Sequence, residues 1–344
     1  MRAPVDSEVG GGLYDRFVRV VSGPETTATP ACPVCDGKRA QPVFQVEGIE
    51  QPIVVCTGCG LGHFHPALSP GQIAACYPEE YYGGPTTKFQ PFVELLVRAV
   101  ARRHINFLSE GLPPGARVLD VGCGRGVLLG PLADRRFEVH GVELSEGALR
   151  GADPRADVRI APRLSDAGYE EGSFDQVIIW HVLEHVADPK HTIEECRRIL
   201  RPGGRLIVAV PNFSSAQARW SGPAWFHLDA PRHLYHFPVS ALKRLIRNCG
   251  FEIASEHHFS LRQNPFGWIQ SALNRFSKLP SGALYTLLHQ RGRSTRTPFD
   301  RKTRLAMWIV LLVSIPPAIL LSILEALLRT GATVHVVARR RRDD

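Results

Sequence analysis

Two cysteine pairs and one glycine-rich turn hold most of the chemistry this sequence can offer. "CPVC" and "CTGCG" place Cys32, Cys35, Cys56 and Cys59 as C-x2-C, twenty intervening residues, C-x2-C. A two-residue spacer lets a tight turn aim both thiolates at one ion, and two such turns complete a tetrahedral sulfur site with no open position. That is the donor set of a structural zinc, and Pro33, Gly58 and Gly60 supply the turn chemistry. His63 and His65 follow closely but are surplus to a four-sulfur site. The other cysteines, Cys76, Cys123, Cys196 and Cys249, are scattered and read as small buried hydrophobes.

The turn "DVGCGRG" sets Gly122, Gly124 and Gly126 directly after an apolar β-branched run, where glycines let a ligand press against backbone N–H groups near a helix N-terminus. A dinucleotide fingerprint wants a third glycine where Val127 stands, so a nicotinamide cofactor fits badly. Glu143 ends the next strand, where a carboxylate can take both hydroxyls of a ribose. Two further clusters hold ionisable groups: His181, Glu184 and His185 in "WHVLEHV", and "WFHLDAPRHLYHF" at 225–237.

The elements that must position these groups alternate. From residue 116 short apolar strands exchange with helices: "ARVLDV", "FEVHGVEL", "DVRIA", "FDQVIIW", "RLIVAVPN" and "FEIASEHHF" are six strands. The helix over 189–200 has Asp188 as N-cap and Pro189 at its first position; another, amphipathic, ends at Gly250. Such alternation means a mostly parallel sheet with helices on both faces and ligands at the carboxyl ends of the strands. Before it, "YPEEYYGGP" at 77–85 closes the cysteine module and a helix from about 89 to 109 leads into the sheet. The organisation is therefore a tail over 1–29, a zinc ribbon over 30–85, an α/β core over 86–260, an amphipathic and hydrophobic insertion over 261–330, and a last core strand with a basic tail over 331–344.

"DVGCGRG", Glu143, "LEHV" and "LRPGG" together resemble the class I S-adenosylmethionine-dependent methyltransferases over about residues 116–260, particularly the ubiquinone-biosynthesis type and enzymes of polysaccharide and sugar pathways. The resemblance implies a Rossmann-like seven-stranded sheet, here preceded by the ribbon and interrupted by the hydrophobic insertion. It implies S-adenosylmethionine as cofactor, lined by Asp120, Gly122, Cys123, Gly124, Gly126, Glu143, Leu144, Arg163, Leu164 and Trp180. It also implies that His181, Glu184 and His185 could hold a divalent ion, since such relatives carry a comparable triad; the alternative is that His185 packs under the turn while Glu184 caps local N–H groups. His233, with His185, His181 and Tyr235 as further candidates, is expected to take the acceptor's proton, because a histidine suits proton abstraction near neutral pH. Arg232 could pair an acceptor phosphate or carboxylate, and the whole loop reads equally as packing on Trp225 and Phe226.

Residues 305–324 carry no charge, long enough as a helix to cross a bilayer core of about 30 Å. Yet "ATVHVVARR" at 332–340 fits the seventh strand, entering antiparallel beside the sixth, and a span would leave it on the far side. Pro316 and Pro317 would break the run. Both flanks are basic: Arg301, Lys302 and Arg304 before, Arg329 and Arg339 to Arg342 after. The expectation is a hairpin that dips into one leaflet and returns, with two buried helices in a dimer core as the alternative. The net charge of +8 favours an anionic neighbour, and no RNA-binding motif points to nucleic acid. The first seventeen residues lack the apolar core of a signal peptide, which places the chain at the cytoplasmic face of the inner membrane, or else in the cytoplasm. The expected acceptor is a lipid-linked saccharide or prenylated quinone precursor. A water-soluble sugar or other small molecule, and a non-catalytic cofactor-binding module at the membrane, are the other readings; the oligomeric state stays open.

Overall fold

A computed structural model of the chain describes residues 18–27, 31–76, 104–149, 152–276, 278–288 and 299–342. The tyrosine-rich segment 77–85 and all but the last turn of the helix expected over 89–109 lie outside the described residues.

The first sheet is antiparallel and belongs to the cysteine module. It holds β1 (Val18–Val20), β2 (Thr26–Thr27), β3 (Arg39–Val46), β4 (Ile53–Cys56) and β5 (Gly62–Phe64), followed by a short helix α1 (Pro70–Ala74). After a last helical turn α2 (104–109), the α/β core runs through β6 (Arg117–Val121), α3 (Leu129–Ala133), β7 (Glu138–Glu143), β8 (Asp157–Ile160), β9 (Phe174–Trp180), α4 (Pro189–Ile199) and β10 (Leu200–Pro211). Helix α5 (Ala216–Ser221) and a two-residue strand β11 (Tyr235–His236) precede α6 (Val239–Asn248) and β12 (Phe251–His257). Three helices, α7 (Gln263–Phe276), α8 (Ala283–Leu288) and α9 (Arg301–Leu327), form the insertion, and β13 (Thr333–Arg340) ends the fold.

The seven-stranded sheet has the order β12-β13-β10-β9-β6-β7-β8. Strands β6 to β10 pair in parallel, and β13 runs antiparallel to both β10 and β12. Its central strands read as unbroken apolar runs because helices cover both faces: Leu206, Ile207, Val208, Ala209 and Val210 are all fully buried. Helix α4 starts as its sequence requires, the Asp188 carboxylate accepting from His191 N at 2.9 Å with Pro189 in the first turn. Strand β10 begins five residues earlier than the expected start at Arg205, with the register irregular between Leu200 and Arg205, where Gly203 adopts φ +75°.

The hydrophobic run differs from its expected form. Helix α9 is continuous over 27 residues and carries Pro316 and Pro317 inside it, so the chain does not turn back at the prolines. Packing on both sides of the pair outweighs the local break. Met307 and Ala318 share an apolar cluster with Ile269 of α7 and with Leu284, Leu287 and Leu288 of α8, while both proline rings face outward. The end of α9 nevertheless returns to the sheet, because β13 begins six residues after Leu327 and pairs along its whole length between β10 and β12.

Candidate active site

The four cysteine sulfurs converge. Each ligand atom of Cys32, Cys35, Cys56 and Cys59 lies within 4.8 Å of the others, with Cys32 to Cys59 and Cys35 to Cys56 both at 3.5 Å. The turns close as knuckles: Asp36 N donates to Cys32 O and Gly60 N to Cys56 O. The crowding leaves no room for side chains beside the sulfurs, since a Cβ on Gly37 or Gly58 would stand 3.1 or 3.2 Å from Cys35 Sγ. The Cys59 thiol donating to Cys32 holds the Cys32 thiol below its usual range, while burial pushes Cys35 up. This donor set fits a structural zinc.

At the carboxyl ends of β6 and β7 the glycine turn is pinned by a carboxylate. Glu143 Oε2 accepts from Gly124 N and Oε1 from Leu144 N, each at 2.8 Å. Gly122 sits at φ +68°, and a Cβ there would fall 2.6 Å from Val182 Cγ2. Only glycine lets the turn pass so close to the segment after β9. A cavity opens here, lined by Asp120, Gly122, Cys123, Val127, Leu128, Trp180, His104 and Arg262. Asp120 is 3% exposed, and burial, with the Glu143 charge adding, pushes its carboxyl up to about 8. Of the expected cofactor residues, Asp120, Gly122, Cys123 and Trp180 line this cavity, and Gly124 and Leu144 join Glu143 in the hydrogen bonds above. Gly126 is held in the same turn, its N–H donating to Cys123 O. Leu164 is buried at the start of a helical turn after β8, whereas Arg163 points to solvent and pairs with Asp166. His104, Arg262 and the last-strand His335, stacked on Trp180 at 4.7 Å, come from segments remote in sequence and carry no motif that would have announced them.

The acceptor-side histidines assemble differently from the expected triad. His181 Nδ1 lies 3.3 Å from Glu184 Oε1, but the three groups whose ligand atoms fall within 4.8 Å of one another are Glu184, His185 and His233. His181 is displaced because it sits in the left-handed region, φ +56°, at the end of β9, where its ring turns toward Trp180. His185 Nδ1 is 3.0 Å from Arg232 O and His233 Nδ1 is 2.8 Å from His227 O. A carbonyl accepts only, so each ring turns an Nδ1–H toward its carbonyl. Their rings meet edge to face at 4.6 Å. Glu184 is 1% exposed, its Oε2 has no partner among the described residues, and burial pushes its carboxyl up to about 7. Burial holds His233 well below the usual histidine range, so it is neutral and its lone pair is available. Two other candidates are committed elsewhere: the Tyr235 hydroxyl donates to Ala187 O at 3.1 Å, and Arg232 pairs with Asp229.

Comparison with known proteins matches residues 93–256 to a family described as a methyltransferase domain. A ubiquinone biosynthesis O-methyltransferase of Maricaulis maris is 30% identical over 184 residues, covering 49% of this chain and 72% of the relative. One of the same name from an Azoarcus species is 32% identical, covering 41% of this chain and 66% of its own. Among solved structures, an SAM-dependent methyltransferase from Archaeoglobus fulgidus superposes with a TM-score of 0.45 at 17% identity, covering 77% of this chain and 99% of the other.

Proposed function

We propose that this chain, which belongs to the class I S-adenosylmethionine-dependent methyltransferases, delivers its methyl group to an acceptor held at a membrane surface. The observation that carries the reading is the inverted face of α9. Its inward side is lined by Met307, Ala318, Ser322 and the buried Glu325, whereas Leu312, Val313, Leu320 and Leu327 are between 59% and 75% exposed. Water selects the opposite arrangement, and lipid selects this one. Arg301, Lys302 and Arg304 at one end and Arg329 at the other add the positive charge that anionic headgroups attract. Because α9 packs along α7 and α8 and its far end joins the sheet, the helix lies along the body rather than projecting through a bilayer. That supports attachment to one face of a membrane. The names of the relatives support a prenylated quinone precursor as acceptor, and a lipid-linked saccharide has the same amphiphilic form.

S-adenosylmethionine supplies a methyl group on a sulfonium, which a nucleophile displaces in line. In this reading the glycine turn lines the methionine end of the cofactor, Glu143 holds the ribose, Asp120 takes the α-ammonium, and backbone near Arg163 and Leu164 faces the adenine. His233 Nε2 accepts the acceptor's proton as the new bond forms, with Asp229 Oδ2 3.6 Å away to stabilise the imidazolium. In place of proton abstraction by His233, Glu184, His185 and His233 would offer the donors of a divalent ion, which would polarise an acceptor hydroxyl.

Two measurements follow. In the free protein Asp120 is protonated below about 8, and the cofactor's ammonium favours the carboxylate, so binding releases a proton. Affinity should therefore rise about fivefold between about pH 6.5 and about pH 7.5, with proton release seen by calorimetry in two buffers, and Asp120→Asn should flatten the dependence. Separately, the full chain should float with vesicles containing anionic lipid, and Leu312→Asp with Leu320→Asp should weaken this by about 10²-fold or more, each lost leucine being worth about 1.5–3 kcal/mol. A chain that ignores vesicles but dimerises through the same residues would show that α9 is covered by a second copy instead.

A further inference from the structure

We propose that the zinc ribbon is the splint that positions the candidate base, so that metal bound by Cys32, Cys35, Cys56 and Cys59 sets the placement of His233 through β11, which begins two residues after it. The ribbon sheet does not end within the ribbon. Its order is β1-β3-β4-β5-β11, and β11 belongs to the loop between α5 and α6 that carries the candidate base. The register sets Tyr235 opposite His63 and His236 opposite Gly62. The second cysteine knuckle leads into β5 through Leu61 alone, and Cys56 N donates to Leu61 O at 2.9 Å. Hence two residues separate Cys59 from a strand hydrogen-bonded to the histidine loop.

The contact is close. A Cβ on Gly62 would lie 3.0 Å from His236 Cβ and 3.3 Å from Phe213 Cε1, so glycine there permits the two strands to approach. On its other flank the loop is tied to the putting-together of β9 and α4: Leu234 N and Tyr235 N both donate to Glu184 O, at 2.8 and 3.1 Å. A strand of two residues has almost no stability of its own and takes the position its neighbours give it. The ribbon is small and shares its apolar packing with the core, Cys32, Val34, Cys56 and Leu61 lying in one cluster with Leu183, Phe237, Leu242 and Leu245. Metal binding in so small a module is folding free energy, and here that free energy reaches β11 through β5. The glycine turn pinned by Glu143 follows β6 in the other sheet.

The consequence for catalysis rests on His233 serving the acceptor; the structural measurement does not. Hydrogen exchange of the full chain is compared before and after a chelator has stripped its zinc, with metal content measured directly, and S-adenosylhomocysteine affinity is followed alongside. Protection of amides 53–64 and 234–237 should fall at least about tenfold, while amides 118–124 and the S-adenosylhomocysteine affinity stay within about twofold. Gly62→Val, which pushes β5 from β11, should keep one zinc per chain yet lose protection at 234–237 to a similar extent. The proposal is overturned if the purified chain holds no zinc, if 234–237 stay protected in the zinc-free protein or in Gly62→Val, or if 118–124 and nucleoside binding fail together with the ribbon.

Discussion

Replacing Glu143 by alanine is expected to weaken S-adenosylmethionine binding by about 10²-fold or more. The carboxylate is 8% exposed and both of its oxygens already accept backbone N–H groups, from Gly124 and Leu144 at 2.8 Å. Each oxygen keeps a second lone pair for a ribose hydroxyl. Alanine thus removes the ribose acceptors and also orphans two donors of the turn. Hydrogen bonds to a charged group are worth about 1.5–3 kcal/mol each, so losing two predicts about 3 kcal/mol or more, or about 10²-fold in Kd. Glu143→Gln keeps one acceptor oxygen and should fall between, near about tenfold. Titration calorimetry gives the answer, and alanine binding within about twofold of the original chain would remove Glu143 from the cofactor site.

Replacing His233 by alanine is expected to slow methyl transfer by about 10²–10⁴-fold while leaving cofactor affinity unchanged, the range for losing a positioned general base. The ring's Nδ1–H is spent on His227 O at 2.8 Å, which fixes the tautomer and leaves the Nε2 lone pair on the side of Glu184 and His185. A ring this buried also packs, and His233→Asn separates the two roles. The asparagine amide can still donate to His227 O but offers no basic nitrogen. If His233 is only a strut, asparagine restores turnover that alanine loses; if it takes the proton, both variants are equally slow. Dialysis against a chelator too weak to strip the cysteine site would further show whether a divalent ion at Glu184, His185 and His233 shares this task.

How much of this could be read beforehand follows the range of the interactions. The glycine turn, the Asp188 cap and the cysteine knuckles are local, each complete within a few residues, and each stands where its spacing set it. The seventh strand was legible across a seventy-residue insertion because its β-branched run at 332–340 suits the antiparallel place beside the sixth strand, where it lies between β10 and β12. Long-range packing was not legible. The prolines of α9 stay helical because α7 and α8 hold the helix on both sides of them, a fact no window around Pro316 contains. His233 joins Glu184 and His185, while His181 stays within 3.3 Å of Glu184, because the loop 225–237 is held against this segment by Leu234 N and Tyr235 N donating to Glu184 O, a return that no local pattern announces. His104 and Arg262 entered the cavity beside the glycine turn from elements outside the motif region.

In the proposed function this site moves a methyl group onto something held in a membrane. The most direct test gives the full chain S-adenosylmethionine labelled in the methyl group together with membranes from cells lacking the protein, then partitions the products between organic and aqueous phases. Label is expected in an amphiphilic product of the organic phase, and is absent with His233→Asn. Label confined to a water-soluble product, or no product despite intact cofactor binding, would contradict that function.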